Sequence, residues 1–429
     1  MPPRKLPDCD ISYLRTFTTV VILVVLIFLL VILNSKVAGN HGDWSHSDFM
    51  LIWLGGRSVV DGSDLFNPIS WEAIHQKYAG DYRDNPVFLY PLPAAFLFVP
   101  FSLGSINFGA AFWLISNQIA LIILAGLMIA DTPYSRKLLF LFIFSLMMAI
   151  YLPVIIVIQS GQFSMFLLVI LCGMYFLLER KLDWIAGVIS VFLLIRPNAV
   201  IYFYPVMLIW IILQKRWKFL IGSGLTGLIL LFGSELYRPG WISVWISYTV
   251  GTGGKLYTYA QFTPTLEGIF ADYGTGVPPM ILFSLSSVII LSLILLGIVA
   301  CFNKNHSAGF ILSLLVTISL CISPYVWNYD QILLLFPLIY LVQSIGRLYI
   351  DSKKTLQTVK IKVFEGISWV VLVLVFTLFP YLLRYFAIMR GKDTLSGLIP
   401  YTVLVLLLCL PLVRTRLLTL RNKSLFMVL

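Results

Sequence analysis

Apolar residues in this chain do not alternate with polar ones; they run in long blocks broken by short polar punctuation. The first block, "TFTTVVILVVLIFLLVIL", occupies 16–33. Further blocks at 107–130, 138–158, 163–178, 184–195, 199–213, 219–234, 280–301, 309–322, 329–345, 365–385 and 398–413 predict helices. A membrane-spanning helix needs roughly 20 apolar residues, so some of these are short for a span. A β-barrel would instead show alternating segments of ~10 residues. The pattern predicts an all-α polytopic membrane protein with about 12 transmembrane helices.

Composition agrees. Of 429 residues, 59% are hydrophobic and 11% charged, with a mean hydropathy of +0.94. A soluble domain carries about 25% charged residues, so too little polar surface exists here to cover a water-soluble molecule. The net charge of +11 is explained by its placement. With the N-terminus inside, about 20 of the 30 basic residues fall on the inner side, giving roughly +13 inside and −2 outside. That is the positive-inside pattern, so the basic balance reports topology and no nucleic acid partner is expected. The threading places the chain in the plasma membrane as a multi-pass protein with both termini cytoplasmic.

The first block exceeds the 7–15-residue core of a signal peptide and no small-residue cleavage site follows, which predicts an uncleaved anchor. Cys9, Cys172, Cys301, Cys321 and Cys409 lie in the inner tail or in predicted spans. Neither a disulfide framework nor a zinc site is expected from them.

The threading leaves two large outer loops, 34–106 and 235–279, while inner loops are short apart from 346–362. It divides the chain into a membrane region over 1–345, which carries the candidate chemistry, and a basic inner loop with C-terminal helices over 346–429. No soluble domain is expected at either end. In the first outer loop Ser47 is placed to cap a helix running from Asp48 towards Val60, ended by Gly62. Ser70–Tyr78 predicts a second short helix with Trp71, Ile74 and Tyr78 on one side, suited to the membrane interface. "NPVFLYPLPAAFLFVPFSLG" then carries four prolines within 86–100, which predicts a re-entrant or bent half-helix.

Three outer turns share polar residues: "QSGQ" (Gln159–Gln162), "RPN" (Arg196–Asn198) and "SPYVWNYD" (Ser323–Asp330). They face the same side as "NHGDWSHSDFM" (40–50), where two of the four histidines stand beside two aspartates. Asp48 opens a helix beside Trp44, His46 and Trp53, and a carboxylate there is a candidate general base. Asp43 is its rival. His41 and His46 match no metal-ligand spacing, so no metal is expected and His46 reads as a polar contact. Arg196 ends the apolar run "VISVFLLI", and an ionisable residue there is a functional candidate by default. The bland alternative is snorkelling to lipid headgroups. Facing a cavity, its planar fork would suit a phosphate. Asp330 reads equally as a helix cap, a partner for a buried cation or a substrate contact. Tyr90, Tyr325, Trp327 and Trp241 suit an interfacial belt, though sugar-stacking uses the same residue types.

"SDFMLIWLGGRSVVDGSDLFNP" (47–68), followed by "FLYPLPAAFLFVPFSLGSINFGAAFWL", resembles the opening of glycosyltransferase family 87. Residues 160–218, with Gly-Gln opening one span and Arg-Pro ending the next outward one, are similar to that family's middle. "QFTPTLEGIF" (261–270) and "SPYVWNYDQILLLFPL" (323–338) resemble its later segments. Relatives often carry His near the last of these, where this chain has Asn328, Tyr329 and Asp330.

The resemblance implies a C-type integral-membrane glycosyltransferase fold with a large first extracytoplasmic loop. It implies transfer of mannose or another sugar from a polyprenyl-phosphate donor to a glycolipid or glycan acceptor, without a cofactor. Asp48 would be the base and Arg196 the phosphate contact. Gln162, Asn198 and Asn328, with Tyr90, Trp327, Asp330 and His46, would line the substrate. The alternative is a transporter or flippase of lipid-linked sugars; such folds often show two related halves, and no internal repeat is visible here. A glycan polymerase or ligase stays open within enzymes.

Overall fold

A computed structural model describes residues 44, 47–79, 87–130, 150–251, 262–304, 306–353 and 378–411. Among them all regular structure is helical. The predicted first span and most of those at 138–158 and 365–385 lie outside the described residues.

The described part of the segment predicted as the first outer loop forms three helices. Asp48–Asp61 (α1) starts and stops near its predicted limits. Ser47 occupies the cap position, but its hydroxyl donates backwards to the Trp44 carbonyl (2.7 Å) instead of accepting from the helix. Pro68–Ala79 (α2) is the second predicted helix, three residues longer than expected. Its Trp71 and Ile74 are buried, with Trp71 set edge-on to Phe88, so protein occupies the face expected to meet the membrane interface. Leu92–Ser102 (α3) is the broken proline-rich segment, with Pro93 in its first turn and Pro100 inside it. Eleven residues rise only about 16 Å, half of a bilayer's hydrocarbon core. It packs along α1, where Ser102 Oγ donates to the Trp53 carbonyl at 2.7 Å.

The helices that follow are Ile106–Ala130 (α4), Leu152–Ser160 (α5), Ser164–Glu179 (α6), Asp183–Ser190 (α7), Phe203–Leu213 (α8) and Trp217–Tyr237 (α9). Trp241–Gly251 (α10) and Leu266–Tyr273 (α11) come from the segment predicted as the second outer loop. Pro279–Phe302 (α12), Ala308–Ile322 (α13), Leu335–Lys353 (α14), Phe379–Arg390 (α15) and a last helix over 398–411 (α16) complete the described fold. Among the described residues four segments are long and apolar enough to cross a membrane: Ile106–Leu124, Trp217–Tyr237, Pro279–Phe302 and Thr394–Pro411. Leu228 and Phe232 of α9 and Phe283 and Val299 of α12 are exposed apolar residues on two of these. Exposed apolar side chains on helices long enough to cross a membrane suit contact with lipid. By contrast every residue of α13 is buried, making it the axis of the bundle.

Two of the predicted spans change character near one end. The run predicted over 184–195 is α7 followed by a 3₁₀ stretch at Val191–Ile195. The run predicted from 329 opens as a 3₁₀ helix at Asn328–Leu334 before α14. α14 also continues through 346–353, where an inner loop was expected.

The two long segments that the threading places outside clasp each other. The Arg238 guanidinium forks onto Asp64 (2.7 and 2.8 Å). Trp245 Nε1 donates to the Leu89 carbonyl at 3.0 Å. Trp241 is buried and stacks on Phe66, so it belongs to this clasp and not to an interfacial belt.

Candidate functional site

Three helix breaks build the site. α5 ends at Gly161, which takes the left-handed conformation (φ 74°) and turns the chain directly into α6. Phe49 of α1 packs against the open side of that glycine, where a Cβ would collide with it. The turn lays Gln162 and Phe163 beside Arg196. Arg196 itself precedes Pro197 and lies outside the helical region (φ −121°, ψ 73°), which the following proline disfavours. Its side chain leaves the 3₁₀ stretch inward, towards the "SPYVWNYD" turn.

There it meets Asp330. Arg196 Nε lies 2.7 Å from Asp330 Oδ1 and Nη2 donates to Oδ2 at 2.9 Å, while Nη1 donates to Gln162 Oε1 at 3.1 Å. The guanidinium lies over the rings of Phe163 and Tyr329 at 5.6 and 4.8 Å, in cation–π geometry. Asp330 also accepts from Ser164 Oγ and from the Trp327 backbone N–H, both at 2.9 Å. It is therefore both helix cap and partner of the buried cation. Arg196 and Asp330 are 3% and 0% exposed. Their charges answer each other, and neither lines the cavity described next.

Asn198 acts similarly. Its Nδ2 donates to the Tyr325 carbonyl at 2.6 Å, and Ser323 Oγ donates to the Asn198 carbonyl at 2.6 Å. The three predicted turns do come together, stitched by Gln162, Arg196, Asn198 and Asp330. Tyr90 packs edge-on to Phe163 (5.0 Å) behind this network.

In front of it opens a cavity of about 660 Å³, within the range of small-molecule sites. Asp48, in the first turn of α1 where the helix dipole favours a carboxylate, lines it. Ser160, Phe262, Trp327, Asn328 and Tyr329 line it too. Asn328 Oδ1 accepts from Ser396 Oγ at 3.3 Å. His46, Asp43 and His41 lie outside the described residues.

The remaining polar wall was not foreseen. Arg384, Lys392 and Asp393, on α15 and the turn after it, face the same cavity. α15 ends at Gly391 (φ 67°), where the Lys392 N–H bonds the Ala387 carbonyl and the chain doubles back. Only a left-handed residue closes a helix this way, which is why glycine stands there. Asp272 of α11, 2% exposed, anchors the turn: it accepts from Lys392 Nζ (3.1 Å), Arg390 Nη2 (3.1 Å) and Thr394 Oγ1 (2.7 Å). Burial alone would raise the Asp272 carboxyl, but these donors outweigh it and hold it below the usual carboxylate range. Burial pushes Asp393 up to about 6, against the pull of Ser396 Oγ (2.8 Å) and Arg384 (3.6 Å). The signal that could have found this wall is electrostatic. Arg384, Arg390 and Lys392 crowd a turn that the threading places outside, where the positive-inside pattern disfavours them.

Fold and site thus define a helical membrane protein with a carboxylate-bearing polar cavity lined by helix ends and turns. Residues 88–324 match the model of Glycosyltransferase family 87, more than half of the chain, and the protein belongs to that family. It is a membrane glycosyltransferase. No curated protein and no solved structure matches it. Tyr90, Gln162, Arg196 and Asn198 fall inside the matched region; Asp48 and the residues from Trp327 onward lie outside it.

Proposed function

We propose that the protein transfers mannose or another sugar from a polyprenyl-phosphate donor to a glycolipid or glycan acceptor, in the cavity headed by Asp48, at the extracytoplasmic face. The observation that carries this reading is the position of Asp48: a carboxylate at a helix start, opening into a cavity bordered by Trp327, Asn328 and Tyr329. Aromatic and amide side chains of that kind suit the faces and hydroxyls of a sugar.

The chemistry follows from the leaving group. A phosphate departs as a weak base, so no general acid is needed, unlike glycoside hydrolysis with its two carboxylates. The acceptor oxygen attacks the anomeric carbon as the carbon–phosphate oxygen bond breaks, and the acceptor proton passes to Asp48. One displacement inverts the anomeric carbon. Arg196 and Asp330 hold the turns on which Gln162 and Asn328 sit, so that Asn328 meets the donor in a fixed position. Positioning of this kind lowers barriers by removing orientational freedom before reaction.

The test is transfer of radiolabelled sugar from polyprenyl phosphate to candidate acceptors in proteoliposomes. Asp48→Asn is expected to lower turnover about 10²–10⁴-fold, the usual weight of a general base, while still binding donor. Wild-type turnover in Asp48→Asn would remove the base assignment. Movement of lipid-linked sugar between leaflets without transfer would replace the enzyme by a flippase.

A further inference from the structure

We propose that Arg384 and Lys392 form the anion subsite of the cavity and take a lipid phosphate there; on the glycosyltransferase reading, on which this rests, it is the phosphate of the donor. A phosphate leaving group needs a cation, and Arg196 is spent on Asp330 and Gln162 in the wall behind. Arg384 and Lys392 do line the cavity, together with Asp48.

Their charge is not used up. Arg384, Arg390 and Lys392 face two carboxylates, Asp272 and Asp393, so one positive charge remains in the turn. The Arg384–Asp393 contact is an ion pair at 3.6 Å, too long for a hydrogen bond, which leaves that fork able to turn to a ligand. Lys392 shares Asp272 with Arg390 and Thr394, so Asp272 stays satisfied when the lysine ammonium swings away. Both cations are partly exposed, at 43% and 32%.

The lining beside them is apolar. Ile388 and Ala387 lie on the same helix as Arg384, and Ile156 and Phe262 face the same space. A cavity with two cations next to such a wall fits a phosphate joined to an isoprenoid chain better than a free sugar nucleotide. It also explains why a turn threaded to the outer side keeps three basic residues within nine positions.

The experiment measures binding of radiolabelled polyprenyl phosphate, without sugar, to purified protein in phosphatidylcholine nanodiscs. Wild type is expected to bind saturably, with unlabelled polyprenyl phosphate competing and polyprenol not. Arg384→Gln and Lys392→Gln should each raise Kd tenfold or more, Lys392→Arg should stay within about threefold, and all should melt within a few degrees of wild type. Lys304→Gln, on a distant turn, should bind as wild type does. Unchanged Kd in both glutamine variants would overturn the subsite. Displacement by phosphatidic acid as effective as by polyprenyl phosphate would assign the subsite to a membrane headgroup and overturn the donor assignment. Failure has a different look if the functional reading is wrong: wild type itself would then neither bind polyprenyl phosphate nor transfer sugar.

Discussion

Arg196 and Asp330 stand 134 positions apart, and a buried charge of either sign is costly alone. Their pairing cancels both charges, with Nη2 hydrogen-bonded to Oδ2 and Nε 2.7 Å from Oδ1, and Ser164, Gln162 and the Trp327 N–H supply further hydrogen bonds. Removing one partner leaves an uncompensated buried charge. Asp330→Asn is therefore expected to cost about 3–5 kcal/mol, read from unfolding in mixed micelles, whereas the double variant Arg196→Met/Asp330→Leu should cost less than that single change. A double variant as damaged as the sum of both singles would show that the pair does more than cancel charge. Arg196 was visible as an anomaly in the sequence because it interrupts an apolar run. Its partner was not: Asp330 had three equally good local readings, and only packing chose between them.

Among the elements, helices were legible and their breaks were not. Apolar blocks fixed by lipid and core burial repeat over tens of residues, so α4, α6, α9, α12 and α13 lie within three residues of their predicted ends. The 3₁₀ stretches at Val191–Ile195 and Asn328–Leu334 follow from contacts made at their ends, which periodicity does not record. Gly161 is the break on which most depends, since α1 packs on it directly in front of Asp48. Gly161→Ala must hold an l-residue in the left-handed region, at about 1–2 kcal/mol, and also displace Phe49. The variant should melt lower than wild type and lose turnover through movement of Asp48. Wild-type turnover at an unchanged melting temperature would show that the α1–α5 contact does not position the base.

At the scale of the whole molecule, Asp48, Ser160 and Trp327–Tyr329, all on segments that the threading places outside, line one cavity, and this gives the topology a direct test. Ser160→Cys, on the cavity wall, should react with a membrane-impermeant maleimide in intact cells, above the background of the native cysteines. Lys304→Cys, on the turn between α12 and α13, should react only after permeabilisation. The reverse pattern would invert the orientation that the basic residues indicate.

The sequence by itself determined that the protein is a helical membrane protein, where most of its helices lie, and that Asp48 and three polar turns are its chemical candidates. Those properties are local: apolar length, charge asymmetry and breaks in a run are written in consecutive residues. Tertiary structure alone decided that Arg196 is paired with Asp330, that Trp71 and Trp241 are core residues, and that the turn after α15 closes the cavity with Arg384, Lys392 and Asp393. Each of those depends on which distant segments pack together. A hydrophobic pattern states that a helix face is buried, and says nothing of what buries it.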